Sequence, residues 1–181
     1  LKPELLEKRL TSELEANAKL FGLGVAFEPD AYKPGLPLYA PYYVKDEQGE
    51  IQRFQIEELY DYTQTPGDGP NGADTAWYHN PVNQGSGWNE PYLGKISGAF
   101  LAEYAARFYR VDPESLETIP AGIVFAQYSL DDVRRLVASL PLGATGYGYV
   151  LSSEGLYIAH PIKELVGNVT LFEQAESLQD E

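Results

Sequence analysis

The chain has 181 residues, 44% of them hydrophobic, which is enough for a substantial core in one domain or two small ones. Its 27 acidic residues outweigh 13 basic ones to a formal net charge of -14, which argues against a nucleic-acid backbone or an anionic membrane surface as partner and favours a neutral or cationic ligand. Cysteine is absent, and with it any disulfide framework, thiolate nucleophile or zinc ribbon.

Residue 1 is Leu and no methionine occurs, so the chain reads as a piece excised from a longer protein. It contains neither a signal peptide nor a run of about 18 apolar residues, so the membrane segments of a membrane-bound parent would lie outside it. From Pro3, Leu6, Leu10 and Leu14 recur every fourth residue, with Leu5, Leu20 and Phe21 nearby, which predicts an amphipathic helix to about Leu20. A helix this short is marginal alone in water, so its leucine stripe must be buried, against its own chain or against a second copy. Pro29, Pro34 and Pro37 end that character.

Residues 38–44 and 51–56 read as two strands joined by a polar turn, and Pro41, which has no N–H for a ladder, is expected at an edge or a bulge. From Asp61 to Gly98 the sequence reads mostly as loop, with a glycine-rich stretch over 65–72 that lacks the Gly-Lys-Ser/Thr ending of a phosphate loop. Both tryptophans fall in this region, in the run Trp77 to Pro81 and the run Gly87 to Tyr92. Aromatic rings crowded among Gly, Pro and Asn point to a concave ligand pocket.

Two further strands are predicted over 99–109 and 121–128, the first with Phe100, Ala102, Tyr104, Ala106 and Phe108 on one face and Glu103 and Arg107 on the other. Ser129, with Asp132 as its reciprocal capping partner, starts an amphipathic helix that Pro141 ends. Residues 147–159 form two strands about a Ser-Glu-Gly turn, and 162–178 read as helix interrupted near Gly167. His79 and His160 have no short-range partners of the zinc or nucleophile kind, and His160 is expected to satisfy a local backbone group.

In order along the chain, Gly24 to Pro29, Tyr39 to Tyr43, Tyr60 to Tyr62 with Trp77 and Tyr78, Trp88 to Tyr92, Ala121 to Val124 followed by Ser129, and Gly146 to Pro161 resemble the double Cache family of bacterial extracytoplasmic sensor domains. The resemblance implies an α+β fold: an N-terminal signalling helix (1–21), a ligand-binding membrane-distal PAS-like antiparallel-sheet module (22–128), and a connecting helix with a partial, truncated membrane-proximal PAS-like module (129–181). It implies a small-molecule sensor of a transmembrane receptor, of the histidine kinase, cyclase, phosphatase or chemoreceptor type, in the periplasm or outside the cell at a bacterial inner or plasma membrane. The fragment itself would be no enzyme and would need no cofactor and no metal, and a homodimer is a candidate arrangement.

The expected ligand-binding residues are Tyr62, Trp77, Tyr78, Trp88, Glu90, Tyr92, Tyr104 and Gln127. Relatives that bind amino acids or amines carry an arginine and two aspartates where Thr75, Gly94 and Gln127 stand here, so an ordinary amino acid is not expected as ligand. The alternative function is a secreted carbohydrate-binding or glycoside-hydrolysing domain, for which Glu28, Asp61 and Glu90 would supply paired carboxylates beside aromatic platforms.

Overall fold

The computed structural model describes residues 2–46, 48–65, 75–143 and 146–178. The chain forms two compact units, Leu1–Asn89 with Glu103–Tyr128, and Glu90–Ala102 with Ser129–Glu181. The glycine-rich stretch after Thr65 lies outside the described residues up to position 74.

Helix α1 (Pro3–Ala16) begins with Pro3, whose missing N–H falls where no intrahelical partner exists. It ends at Asn17, whose side-chain amide donates back to the Glu13 carbonyl at 2.8 Å. Leu10 and Leu14 are 4% and 0% exposed and pack with Leu23, Val25, Phe27, Tyr39 and Tyr43. The leucine stripe is therefore buried within its own unit.

A six-stranded sheet carries the order β3-β2-β1-β6-β5-β4, built from β1 (Gly22–Phe27), β2 (Pro41–Lys45), β3 (Ile51–Gln55), β4 (Gly87–Leu93), β5 (Phe100–Val111) and β6 (Thr118–Ser129). The pairs β1/β2, β2/β3 and β1/β6 are antiparallel, with Gly24 opposite both Tyr42 and Phe125, and Gly22 opposite Gln127. A short helix α2 (Ile56–Leu59) follows β3, and α3 (Ala76–Gln84) precedes β4. Strand alternation divides the sheet into two faces. Leu23, Val25, Phe27 and Tyr43 face α1, while Tyr42, Phe125 and Gln127 face the other way.

Four sequence expectations change here. Strand β1 occupies a segment for which the residue pattern predicted no element. Strand β2 is interior, and Pro41 is accommodated as its first residue rather than by an edge. The supposed loop contains α3 and β4, so Trp77 and Tyr78 sit on a helix and Trp88 on a strand. On β5 the alternation is as expected, but the deeply buried positions include Leu101, Glu103 and Ala105, while Tyr104 is 40% exposed.

In the second unit, α4 (Asp131–Ala138) is followed by the hairpin β7 (Val150–Leu151) and β8 (Tyr157–Ala159), a 3-10 turn at Lys163–Leu165, and α5 (Leu171–Ser177). Ser129 Oγ accepts the Asp131 N–H at 3.3 Å, but Asp132 pairs with Arg135 and closes no capping box. The box forms instead at α5, where Thr170 and Glu173 bond reciprocally and the backbone and hydroxyl donors of Thr170 hold the Glu173 carboxyl below its ordinary range. His160 Nδ1 accepts the Ile162 N–H at 3.0 Å, the local role expected of it. Among the described residues no helix is long and apolar enough to cross a membrane.

Replacing Leu14 with Ala should destabilise the domain by about 2–5 kcal/mol, the range for a fully buried leucine. Urea unfolding followed by circular dichroism checks this, and a loss well under 1 kcal/mol would show that α1 is not part of the core.

Candidate ligand-binding site

The face of the sheet turned away from α1 carries a row of polar side chains across adjacent strands. Asn89 on β4 donates through Nδ2 to Glu103 Oε1 on β5 at 2.9 Å, and Gln127 Nε2 on β6 donates to Glu103 Oε2 at 2.7 Å. On the far side of β1, the Tyr42 hydroxyl donates to Gln127 Oε1 at 2.7 Å. Glu103 is 0% exposed and Gln127 5%. A buried polar row of this kind is stable only when its hydrogen bonds are made, and these link strands that are not all neighbours.

Gly22 makes the last of these bonds feasible. A Cβ at position 22 would stand 2.8 Å from Gln127 Oε1 and 2.9 Å from the Tyr42 hydroxyl, closer than such atoms approach. Gly24 leaves the same kind of room for the Phe125 ring, whose Cζ would lie 2.3 Å from an added Cβ. The two glycines of β1 thus clear a trough in which side chains of β2 and β6 meet.

Over this face lies α3. Pro81 has no N–H with which to bond the Trp77 carbonyl four residues back, and Asn89 Nδ2 supplies the missing donor at 3.2 Å. Arg107 Nη1 donates to the Val82 carbonyl in the last turn at 2.7 Å. Two sheet side chains therefore fix α3, and with it Trp77 and Tyr78.

Tyr62, Trp77 and Tyr78 form one buried aromatic cluster: the Tyr62 and Tyr78 ring centroids are 4.9 Å apart, and Trp77 lies 6.0 Å from each and 5.2 Å from Phe125. The Tyr62 hydroxyl donates to the Phe27 carbonyl at 2.6 Å. Burial, and then the carboxylates of Glu57, Glu28 and Asp61, push the Tyr62 phenol up, while burial and then Glu28 push up that of Tyr78. Asp61 itself is held below the ordinary carboxylate range by the Thr63 hydroxyl and N–H. Among the described residues, Trp77 Nε1 and the Tyr78 hydroxyl are buried without a hydrogen-bond partner of normal geometry.

The remaining expected site residues lie elsewhere. Trp88 is 64% exposed and stacks edge-on to Tyr104 at 5.4 Å, on the sheet face opposite Glu103. Glu90 and Tyr92 belong to the second unit, where Glu90 Oε1 accepts from the Ser153 hydroxyl at 2.6 Å. So four of the eight, Tyr62, Trp77, Tyr78 and Gln127, lie at the buried face of the first unit, and Trp88 and Tyr104 lie on the other face of its sheet. Thr75 is fully buried and its hydroxyl donates to the Gln64 carbonyl at 2.7 Å; His79 Nε2 donates to the same carbonyl at 2.8 Å. Sequence reasoning missed Tyr42, Asn89 and Glu103. The available signal was a charged residue on a strand face shared with Leu101 and Ala105, a placement that demands a polar partner. No group of three or more metal-ligating side chains suited to an ion occurs among the described residues.

Residues 6–115 match the family described as methyl-accepting chemotaxis protein-like, first PDC sensor domain. The chain belongs to this sensor-domain family. It is 28% identical over 136 residues to the methyl-accepting chemotaxis protein PscA of Pseudomonas syringae pv. tomato, a match covering 73% of this chain and 20% of that protein. The sensor domain is also similar in fold to the extracellular domain of the putative histidine kinase mmHK1S-Z2, with a TM-score of 0.71 at 22% identity over 95% of this chain and 62% of that one. The ligand-binding domain of the Pseudomonas aeruginosa amino acid chemoreceptor PctC in complex with GABA superimposes with a TM-score of 0.53 at 17% identity, covering 96% and 63%.

The chain thus spans about a fifth of its curated relative and about three fifths of these solved domains. By its family it is a sensor domain rather than a catalytic one, and the carbohydrate-directed alternative has no support among these relatives. The expectation that excluded ordinary amino acids is not upheld either, because the fold carries an amino-acid ligand in PctC.

Gly22→Ala should cost about 1–3 kcal/mol by forcing Tyr42 and Gln127 apart, and Tyr42→Phe about 1 kcal/mol through the lost hydrogen bond alone. Thermal and urea unfolding of the two variants checks the order; a neutral Gly22→Ala would mean that the row tolerates separation.

Proposed function

We propose that this sensor domain binds its small-molecule ligand in the first unit, in the layer between α3 and the sheet. The ligand would lie among Tyr62, Trp77, Tyr78 and Gln127, with the row through Glu103 beneath it. The observation that carries this reading is the buried, unpartnered Trp77 Nε1, next to a cluster of rings and a fully buried acidic side chain on the same face. Such mixed apolar and polar lining is what a small-molecule site requires. Trp88 and Tyr104 would be outside it.

In this reading residues 22–128 form the membrane-distal sensing module, and 129–181 the connecting helix with part of a membrane-proximal module that is incomplete in this chain. The exposed Leu136, Tyr147, Tyr149 and Phe172 of the second unit are consistent with a surface that further chain would cover. The parent protein would be a bacterial receptor anchored in the inner or plasma membrane, with the signalling module inside the cell.

A thermal-shift screen of amino acids, amines, organic acids, nucleobases and sugars should identify a stabilising compound, whose affinity is then measured by calorimetry. Trp77→Ala should weaken it at least tenfold, about 1.4 kcal/mol, while Trp88→Ala should leave it within roughly threefold. The opposite pattern would move the site to the exposed face of the sheet.

A further inference from the structure

We infer that the second unit carries a ligand site of its own, a cavity between α4 and the end of β8 that takes a small monocarboxylate on Arg134 and His160. This site is separate from the one proposed in the first unit and does not depend on it. The cavity measures about 250 Å³ and lies wholly within the second unit, with Arg134 and Val137 on α4, Ala159 and His160 at the end of β8, and Leu142 and Gly148 in the segment that joins them. At ~30 Å³ per water it has the volume of about eight waters, which suits a molecule of a few heavy atoms. Gly148 keeps it open: a Cβ there would stand 3.2 Å from Leu142 Cδ1 and 3.4 Å from Val137 Cγ1.

The charge of the lining has one sign. Among the described residues that line the cavity, Arg134 and His160 are the side chains able to carry positive charge, and none is a carboxylate. In a chain with 27 acidic residues against 13 basic ones, that selection runs against the composition. Arg134 gives Nη1 to Asp131 at 3.1 Å in a partly exposed ion pair, and its other guanidinium donors have no partner among the described residues. His160 uses Nδ1 to accept the Ile162 N–H, so the neutral ring carries its proton on Nε2, and that donor likewise has no partner among the described residues. The rings of Tyr157, Tyr147 and Tyr149 hold the imidazole at 5.0, 5.4 and 6.0 Å between centroids, which fixes the donor before any ligand arrives. A carboxylate is the complement of such a pair, because it brings the countercharge and an acceptor for each N–H. The remaining wall, with Val137, Leu140, Leu142, Ala159 and Pro161, is hydrocarbon, so it suits a short alkyl body and disfavours a second charged group.

The alternative role of Arg134 is to pair with Asp131 within α4 and nothing more, and the experiment separates the two. The 181-residue chain is titrated by calorimetry with acetate, propanoate, butanoate and pyruvate, and with butanamide and butylamine as neutral and cationic counterparts of butanoate. At least one carboxylate should bind, with the amide and the amine at least tenfold weaker. Arg134→Gln should lower the affinity for that carboxylate at least tenfold with the melting temperature of the unliganded protein little changed, because a partly exposed ion pair contributes little to stability. His160→Phe, which keeps a ring among the three tyrosines and removes the donor, should also weaken it. Gly148→Ala should weaken butanoate more than acetate, since the added methyl takes space from the alkyl body.

Binding of butanamide or butylamine as tightly as butanoate would overturn the inference, as would an affinity unmoved by Arg134→Gln or the absence of binding by every carboxylate tested. Trp77→Ala separates this site from the one in the first unit. Carboxylate binding should survive that substitution unchanged; if Trp77→Ala abolishes it while Arg134→Gln does not, the carboxylate sits in the first unit and the second site fails, with the proposed function left standing.

Discussion

The central strand β1 has side chains of consequence on one face only, and the rest of the first unit depends on that asymmetry. Toward α1 it presents Leu23, Val25 and Phe27, which meet Leu10 and Leu14 in a dry core. Toward α3 it presents Gly22 and Gly24, and the space so released is taken by Tyr42, Phe125 and Gln127 from the strands on either side. One face of the strand holds the fold together, and the other leaves room for a polar row in the interior. A valine at either glycine would refill the trough with hydrocarbon, displacing the Phe125 ring at position 24 and, at position 22, the hydrogen bond that joins β2 to β6 across it.

The polar row also explains why α3 stays where it does despite a proline in its middle. Pro81 removes one intrahelical bond, and its steric demand on the preceding turn would ordinarily kink or end so short a helix. Here the Trp77 carbonyl is bonded by Asn89, and Asn89 also bonds Glu103. Helix and sheet are therefore tied at the residue whose ring lines the cluster. The same amide reads the backbone of α3 and orients the buried acid, so a change in either is felt by the other.

What was legible in the sequence follows the strength of the local signal. The leucine period pointed to α1, alternation to β5, and the flanking polar turn to the β2–β3 hairpin, and β6 too was expected as a strand. Strand β1 was invisible because glycine at alternate positions removes the alternation itself, and the reason for the glycines lies in β2 and β6, far away in sequence. Helix α3 was lost because Asn80 and Pro81 read as loop residues, whereas the tertiary bond from Asn89 compensates the proline. Clustering of aromatics was a fair guide to Tyr62, Trp77 and Tyr78, which share a buried cluster, but it could not separate the faces of a sheet. Trp88 is eleven residues beyond Trp77 and emerges on the opposite side, since one step along a strand reverses direction. Glu103 was placed on the correct face of β5 but left out of the expected site, because the apolar residues on the even positions made the opposite face resemble the core.

The two faces are not isolated from one another, and Tyr62 is where they meet. Its ring belongs to the Trp77 and Tyr78 cluster, yet its hydroxyl donates to the carbonyl of Phe27, whose side chain lies in the α1 core. The Tyr39 N–H points at that same hydroxyl at 3.4 Å, and the Tyr39 hydroxyl donates to Glu7 on α1 at 3.3 Å. Glu7 in turn receives Arg53 Nη2 from the edge strand β3 at 2.8 Å. Packed interiors do not deform continuously, so a shift of Tyr62 must be answered either by Phe27 and Tyr39 moving with it or by loss of a buried hydrogen bond worth about 1 kcal/mol. Phe27 and Tyr39 both touch the aromatic and leucine contacts on which α1 rests. The residue that closes one wall of the aromatic cluster is thus also a support of the helix, and a change at the cluster reaches α1 through packed and hydrogen-bonded groups without any rearrangement of the sheet order.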